Sequence, residues 1–338
     1  MTDGIVKGQA APVELAQVWR GEFLESVHMG HAVVVDASGE VVKAWGDAGA
    51  VVLPRSSSKM LQALPLVESG AADAAGLSDE QLALACASHN GARAHVDRVE
   101  AWLADLGLGD DDLRCGGHMP KDPDEAKRLT CSGDQFCQVH NNCSGKHAGF
   151  LTLSKHLGAG PEYVEIDHPV QKAVRAAFEE VTGEESPGYG IDGCSAPNFA
   201  CSLTGMARAM ARFASADETD ARGRAMVRLR NAMVTHPLLV AGEGRACTEL
   251  MRAMEGRVAL KTGAEAFFVA ILPEQGLGVA LKVLDGGTRG AESAICSILV
   301  ELGALDPEHP AARQFQRPPL VNCRGIEAAR IAPGRVFG

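Results

Sequence analysis

Apolar and polar residues alternate in two short runs near the beginning of the chain. The segment from His31 to Gly46 reads HAVVVDASGEVVKAWG, and the polar stretch from Asp36 to Gly39 separates its two halves. Alternation with a period of two is typical of half-buried strands, and a polar turn with a glycine between two such runs is typical of a hairpin. The sequence therefore predicts two antiparallel strands here.

Helical spacing replaces this alternation after residue 54. The polar segment PRSSSK at 54–59 leads into apolar residues that recur at helical intervals between 60 and 67, and Pro65 is expected to bend that helix. Ser56 and Lys59 are therefore predicted to lie at the beginning of a helix.

The middle of the chain is predicted to be mainly helical. Ser78 and Gln81 have the spacing of a capping box in front of LALACA, and that helix is expected to stop near the segment SHNG at 88–91. Further helical patterns follow at about 93–106, 145–157, 169–182, 199–214 and 222–234.

From Val258 the pattern returns to short β-rich runs. VALKTG, AFFVAIL and GVALKVL are followed by a last helical pattern at about 290–303. Strands near both ends with helices between them predict an α+β fold, a mainly antiparallel sheet with helices on its faces. Since no internal repeat or linker divides the chain, we expect a single domain over 1–338, with a candidate helical subdomain at roughly 93–235.

Composition and charge exclude several classes of partner. The chain has 338 residues, 46% of them apolar, and a formal net charge of -11. Nucleic acids and anionic membranes are bound through clustered Lys and Arg, so neither is an expected partner. There is no apolar run of signal-peptide or membrane-spanning length, and we expect a cytoplasmic protein. In that compartment the ten scattered cysteines are expected to be reduced thiols.

Three short motifs carry the candidate chemistry. SSSK at 56–59, SHN at 88–90 and KTG at 261–263 match, in order, the S-x-x-K, S-x-N and K-T-G set of penicillin-recognising serine hydrolases. Each motif alone arises by chance in many chains. The three together, each in a fitting structural setting, favour a serine hydrolase.

The first motif has the spacing of an activated nucleophile. At i and i+3 on a helix, Ser56 and Lys59 lie on one face, where the amine can take the proton of the hydroxyl. Lowering a lysine pKa from ~10.4 to ~7 costs about 4.6 kcal/mol, so burial or a second cation must supply the shift. Lys261, arriving on a strand, is the natural second cation.

This arrangement predicts two Ser/Lys pairs in one pocket, Ser56 with Lys59 and Ser88 with Lys261, whose titrations are coupled. Gly263 is expected to leave room for substrate along the strand edge, and the backbone N–H groups near Ser56 and at Ala264 are candidates for an oxyanion hole. Taken singly, Ser88 has an alternative explanation as a polar residue at a helix end, and Lys261 as a solvated strand lysine.

Two longer segments carry a family resemblance. NNCSGKHAG at 141–149 and GIDGCSAP at 190–197, together with RSSSK at 55–59 and SHNG at 88–91, resemble the rhizobial-type L-asparaginases over nearly the whole chain. The resemblance implies a fold like that of serine β-lactamases and penicillin-binding proteins, a homodimer, and hydrolysis of L-asparagine to L-aspartate and ammonia. It also implies Ser56 as nucleophile with Lys59 as its base, and Ser88 with Lys261 as a supporting pair.

The same resemblance implies further site residues. Asp192 matches the residue that meets the α-ammonium of the substrate, and Arg55 and His147 lie in matching motifs near the pocket. Three residues match the positions that hold a zinc ion, namely Cys143, Lys146 and Cys194. From the residues alone, the two cysteines read as buried thiols, because lysine is an unusual zinc ligand and the spacing fits no common zinc signature.

The sequence leaves alternatives open. Asn90 is followed by Gly-Ala, where the family more often carries an acidic residue soon after the glycine, so no carboxylate role is assigned there. Rival functions are a glutaminase, a β-lactam or ester hydrolase on the same scaffold, and a non-catalytic protein that binds an amino acid or a metal.

Overall fold

The computed structural model describes residues 10–338, and the sheet strands come from both ends of that range. The strands are β1 Val13–Arg20, β2 Phe23–Val35, β3 Val41–Trp45, β4 Val51–Val52, β5 Tyr189–Ile191, β6 Pro197–Phe199, β7 Cys201–Ser202, β8 Ala259–Gly263, β9 Phe267–Leu272, β10 Leu277–Val283, β11 Pro319–Val321 and β12 Glu327–Pro333. β1 and β2 therefore meet partners that lie more than two hundred residues away in sequence.

Helices fill the long interval between β4 and β8. The helices are α1 Lys59–Gln62, α2 Leu64–Glu68, α3 Ala71–Ala74, α4 Asp79–Ala85, α5 Arg93–Asp105, α6 Pro123–Ser132, α7 Ser144–His156, α8 Pro169–Thr182, α9 Leu203–Ser215, α10 Ala221–Thr235, α11 Pro237–Ala241, α12 Ala246–Ala253, α13 Thr288–Glu301 and α14 Pro310–Gln316. A 3₁₀ turn at Arg55–Ser58 runs directly into α1.

One antiparallel sheet forms the centre of the fold. Its strand order is β11-β12-β1-β2-β10-β9-β8, with β3 also paired to β2, and every pairing is antiparallel. β8, which carries the KTG motif, is the last strand on its side of this path. β4 with β7 and β5 with β6 form two small separate pairs.

Helices cover both faces of this sheet. Gly278 of β10 lies so close to α9 that a Cβ there would overlap the backbone of Ala207 and Ala211, whereas His28 of β2 packs against Gly290 of α13. In the β2–β10 register Gly278 pairs with Val35. Because side chains alternate between faces along a strand, α9 and α13 lie on opposite faces. The α+β class predicted from the sequence is confirmed.

Several local predictions are confirmed and one boundary is wrong. The hairpin exists as β2 and β3, closed by a 2.9 Å hydrogen bond from Gly39 N to Asp36 O. The predicted helix over 199–214 begins at Leu203, because the preceding residues belong to β6 and β7. The Ser202 hydroxyl accepts the Gly205 N–H at 2.8 Å and caps the helix there.

The buried apolar side chains of the sheet and of the helices form one connected cluster. The division into a single domain or a domain with a subdomain at roughly 93–235 stays a prediction. Within residues 10–338, no helix combines the length and the apolar character needed to cross a membrane. All ten cysteines fall in this range and are free thiols, as the sequence predicts.

Candidate active site

The SSSK motif forms a tight turn with an unusual backbone conformation. Arg55 has φ 53°, in the left-handed region, and the turn is closed by hydrogen bonds from Ser57 N to Pro54 O (3.1 Å) and from Ser58 Oγ to Arg55 O (2.9 Å). A non-glycine residue in that region costs roughly 1–3 kcal/mol, and such strain is concentrated at functional sites. The turn leaves Ser56 partly exposed at the start of the helix.

Lys59 lies where the spacing predicts, but its amine points away from the serine. The side chain is 1% exposed, and Nζ donates to Ala87 O and, at 3.1 Å, to the Cys143 sulfur. In the part of the chain that the structure describes, Lys59 and Ser56 share no hydrogen bond. The i, i+3 spacing fixes the face of the helix but not the end point of four flexible methylenes.

The second predicted pair is formed directly. Lys261 Nζ donates to Ser88 Oγ at 2.8 Å and to Thr262 O at 2.7 Å. Lys261 is fully buried, which rules out the alternative of a solvated strand lysine. Burial, followed by the charge of Lys59, lowers the pKa of Lys261 to about 7. An amine with that pKa is available as a base near neutral pH.

Gly263 has a packing role that the sequence did not reveal. A Cβ at this position would lie 2.6 Å from Pro54 O and 2.9 Å from Ser57 Oγ, and Ser57 Oγ also donates to Lys261 O at 3.1 Å. The missing side chain therefore lets β8 press against the nucleophile turn. The room that we expected to be left for substrate is taken up by that turn on this side of the strand.

Replacing Gly263 with alanine is therefore expected to push the turn away from β8. We expect at least a tenfold fall in catalytic rate together with a loss of about 1–3 kcal/mol of stability, because overpacking forces the backbone to shift. Activity assays and chemical denaturation of the variant measure the two effects. Gly276, which ends the turn between β9 and β10 far from the motif, provides a matched control position. An unchanged G263A variant would contradict this packing argument.

Ala264 is exposed at the tip of the turn between β8 and β9. The next two residues, Glu265 and Ala266, have φ 58° and 56°, both in the left-handed region. Two consecutive non-glycine residues in that conformation make a sharp turn. The turn starts beside Gly263, next to the segment that carries Ser56.

Asp192 is held by an arginine from the nucleophile turn. Arg55 donates to Asp192 Oδ1 through Nε at 3.1 Å and through Nη2 at 2.7 Å, and this hydrogen bond raises the pKa of Arg55. Asp192 lies in a turn in which Ser195 N donates to its carbonyl oxygen at 2.9 Å, and Ser195 has φ 67°. The GxDGC segment thus reaches the SSSK turn through a partly buried ion pair.

The three predicted zinc ligands converge in the interior. Lys146 Nζ lies 3.1 Å from Cys194 Sγ, and all three side chains of Cys143, Lys146 and Cys194 are buried. A hydrogen bond from the Cys143 thiol, supported by the Lys146 charge, lowers the pKa of Cys194 well below its ordinary value. Burial alone would lower the pKa of Lys146, but the negative charge on the two sulfurs outweighs it and raises that pKa.

His147 is buried beside this cluster. Its Nδ1 lies 2.9 Å from the Tyr163 hydroxyl, and its Nε2 has no hydrogen-bond partner among the described residues. Burial lowers the pKa of His147 to about 4, so the ring is neutral at pH 7. His147 lies behind the cluster and close to it, and its contacts in the described chain are internal.

Two cavities lie next to these groups. One of about 420 Å³ has Arg55 and Glu265 in its wall, and another of about 570 Å³ has Asn90 and Arg245 in its wall. In the part of the chain that the structure describes, Ser56 lines neither cavity but directly follows Arg55. No motif in the sequence marked Arg245 or Glu265.

The structure thus brings the motifs to one place, and a family model of L-asparaginase II matches residues 16–333. The chain belongs to the L-asparaginase II family. The matched range contains every candidate residue described above. The resemblance seen in the NNCSGKH and GxDGC segments is therefore confirmed at the level of the family.

This L-asparaginase II chain is also similar to solved structures at low identity. A β-lactamase from Mycobacterium bovis has 13% identity, 80% coverage of this chain, 94% of the other, and a TM-score of 0.46. A structure titled Mglu in its native form has 12% identity, coverage of 83% and 65%, and the same TM-score of 0.46. The octameric penicillin-binding protein homologue from Pyrococcus abyssi has 12% identity, coverage of 82% and 74%, and a TM-score of 0.36.

Structures of this kind are what the predicted likeness to β-lactamases and penicillin-binding proteins led us to expect. A search of curated proteins finds no match for the chain. The assignment of the L-asparaginase II chain therefore rests on the family model and on the geometry of its own residues.

Proposed function

We propose that the protein hydrolyses the side-chain amide of L-asparagine, giving L-aspartate and ammonia. Membership of the L-asparaginase II family supports amidohydrolase activity. The observation that carries the proposal is the buried Ser88–Lys261 pair, in hydrogen-bond contact behind a turn that presents Ser56. A hydroxyl beside an amine of lowered pKa is the arrangement that serine–lysine acyl transfer requires.

In the first half of the reaction, Ser56 Oγ attacks the amide carbon and its proton passes to the lysine pair. Lys59 and Lys261 lie close enough that their titrations are coupled, so one amine of the pair is neutral near pH 7. Lys59 is adjacent to Ser56 on the turn, and Lys261 is the member with the lowered pKa. The C–N bond then breaks, and a proton from the pair completes the departing ammonia.

In the second half, water attacks the β-aspartyl ester on Ser56. The neutral amine of the pair takes a proton from that water, the ester C–O bond breaks, and the proton returns to Ser56 Oγ. The N–H groups near Ser56 and at Ala264 are the proposed donors to the oxyanion of both tetrahedral intermediates. Ala264 is exposed and Ser56 partly so, which supports access of substrate to both.

Asp192 is proposed to bind the α-ammonium of the substrate. Arg55 engages only Oδ1 of its carboxylate, together with Gly193 N at 2.7 Å. The second oxygen, Oδ2, is not used in the described chain, and a carboxylate can accept several donors at once. Arg55 then acts as a support that holds Asp192 in place.

Cys143, Lys146 and Cys194 are proposed to hold a zinc ion. Their donor set fits the metal: two sulfurs, one of them with a strongly lowered pKa, and one amine are soft N and S ligands, and three protein ligands leave one position open. Lys146 must lose its proton to bind. Among residues 10–338 no cluster of three or more His, Cys, Asp or Glu side chains has metal-binding geometry, so lysine is essential to this set. A zinc ion there would polarise and orient the substrate.

Removing the metal is expected to lower catalytic efficiency without abolishing it, because the acyl transfer is assigned to Ser and Lys groups. Elemental analysis should find one zinc per chain, lost in Cys194→Ser and retained in Cys296→Ser, a buried cysteine on α13. Dialysis against a chelator should reduce kcat/KM roughly tenfold or more, with recovery on adding zinc. Zinc content that is the same in both variants would contradict the ligand assignment.

Ammonia release tests the proposed function. Purified protein should release ammonia from L-asparagine, more slowly from L-glutamine, and should not hydrolyse nitrocefin. Release from glutamine alone, or turnover of nitrocefin alone, would replace the proposal with one of the rival hydrolases. Binding of L-asparagine without any ammonia would instead support a non-catalytic binding protein.

The cytoplasmic location and the homodimer remain predictions from the sequence and its resemblance. Light scattering on the purified protein, at several concentrations, tests the dimer directly. A mass of one chain at all concentrations would contradict it.

A further inference from the structure

Arg245 is a half-buried arginine that lacks a carboxylate partner. It directly precedes α12, and no residue from 10 to 338 forms an ion pair or a hydrogen bond with its guanidinium. Arg252 on the same helix, by contrast, contacts the carboxylates of Glu243 and Glu249. A guanidinium that has lost part of its water without gaining a partner is costly, and its planar fork of donors suits a ligand carboxylate.

The arginine faces a cavity of suitable size and character. The cavity of about 570 Å³ is lined by Arg245, Asn90, Asp122 and Thr288, among others. Pockets for small molecules commonly occupy 300–1,000 Å³ and place a few polar groups that fix orientation. The wall therefore offers a cation, an amide and a hydroxyl to a small polar molecule.

The cavity adjoins the Ser88–Lys261 pair on two sides. Asn90 follows Ser88 by two residues, so one wall continues the loop that carries the serine. Two residues beyond the arginine, Cys247 Sγ accepts the Thr262 N–H at 3.3 Å, directly next to Lys261. The same elements thus hold the catalytic pair and the cavity wall.

The charges around the pair favour an incoming anion. Lys59 and Lys261 are buried cations or potential cations, and the charge of Arg245 is close enough to contribute to the low pKa of Lys261. Arg55 on the other side is already balanced by Asp192. A carboxylate is therefore attracted to the Arg245 side of the pair, where the protein supplies no negative partner to the guanidinium.

We propose that Arg245 binds the α-carboxylate of the amino-acid substrate by charge-assisted hydrogen bonds. The proposal rests on the proposed function, since it assigns the carboxylate of the substrate whose α-ammonium is assigned to Asp192. Binding at both charged groups orients the side-chain amide toward Ser56 and the Ser88–Lys261 pair. An amide that lacks the α-carboxylate loses this anchor.

The test compares Arg245→Gln with Arg252→Gln, a matched control on the same helix. We expect R245Q to raise KM for L-asparagine roughly 10–100-fold, the range that loss of a charged hydrogen bond gives, and R252Q to leave it unchanged. Assays at pH 9 keep Lys261 neutral in both proteins, so kcat should change less than threefold. Arg245→Lys should recover part of the loss, since a point charge replaces the fork.

A second substrate separates binding of the carboxylate from a general defect. β-Alaninamide is asparagine without its α-carboxylate, and the unmodified enzyme should discriminate against it by about the factor that R245Q loses. R245Q itself should treat the two amides nearly alike. Equal discrimination in both proteins would overturn the assignment.

Calorimetric binding of L-aspartate, the product, adds a readout that needs no turnover. Aspartate should bind the unmodified protein and R252Q alike, and R245Q at least tenfold more weakly. If asparagine is hydrolysed but R245Q matches R252Q, only the role of Arg245 fails. If the unmodified protein neither binds aspartate nor hydrolyses asparagine, the proposed function fails and this inference with it.

Discussion

Replacing Ser56 with alanine should lower the rate of ammonia release by roughly 10³-fold or more, while the protein still folds and binds substrate. Ser56 is the only serine of the SSSK motif whose hydroxyl is not engaged within the described chain, because Ser57 donates to Lys261 O and Ser58 to Arg55 O. Removing a nucleophile removes the covalent route altogether, which is why its loss exceeds that of any single supporting contact. Steady-state assays with L-asparagine measure the effect.

The two neighbouring serines provide matched controls. Ser57→Ala and Ser58→Ala delete the same atom within two residues, and each should cost about tenfold at most through looser packing of the turn. Mass spectrometry after rapid quenching should also detect a β-aspartyl ester on the peptide that contains Ser56. An S56A variant as active as S58A, or an ester found on Ser88, would move the nucleophile elsewhere.

The sequence predicted the site better than its fine geometry. The order of the SSSK, SHN and KTG motifs predicted that residues far apart in sequence meet, and the β8 register and the Ser88–Lys261 contact agree with it. It did not predict that Lys59 points toward Cys143. Side-chain spacing along a helix limits which groups can meet, but the surrounding core decides where a long flexible amine ends.

Roles that depend on tertiary neighbours were missed for the same reason. Gly263 belonged to a recognised motif, yet its need for close approach to Pro54 exists only once β8 has joined the sheet. Arg245 carries no local pattern, and its significance comes from the absence of a carboxylate around it in the described fold. The helix over 199–214 was drawn four residues too early, because the strand pairing of Cys201 with Val52 is a long-range contact.

Replacing Lys261 with methionine should abolish activity and stabilise the fold. The pKa of Lys261 falls from 10.5 to about 7 in the folded protein, so the unfolded chain binds a proton more readily across that interval. At about 1.36 kcal/mol per pKa unit, burying this amine costs roughly 4–5 kcal/mol at pH 7 and below. Methionine has a similar length and no charge, and it loses about 1–2 kcal/mol from the contacts with Ser88 and Thr262. The net gain should be on the order of 2–3 kcal/mol near pH 6.5.

The dependence on pH distinguishes this cause from better packing. Because the folded pKa is lowered, the penalty is complete below about pH 7, shrinks as pH rises, and vanishes above 10.5. The advantage of K261M in chemical denaturation should therefore fall by about 3 kcal/mol between pH 6.5 and pH 9.5. Lys172→Met, at an exposed position on α8, should show no such change. A K261M advantage that stays constant with pH would mean that Lys261 is not a neutral amine at the pH of catalysis, and the Ser88–Lys261 pair would then lack its base.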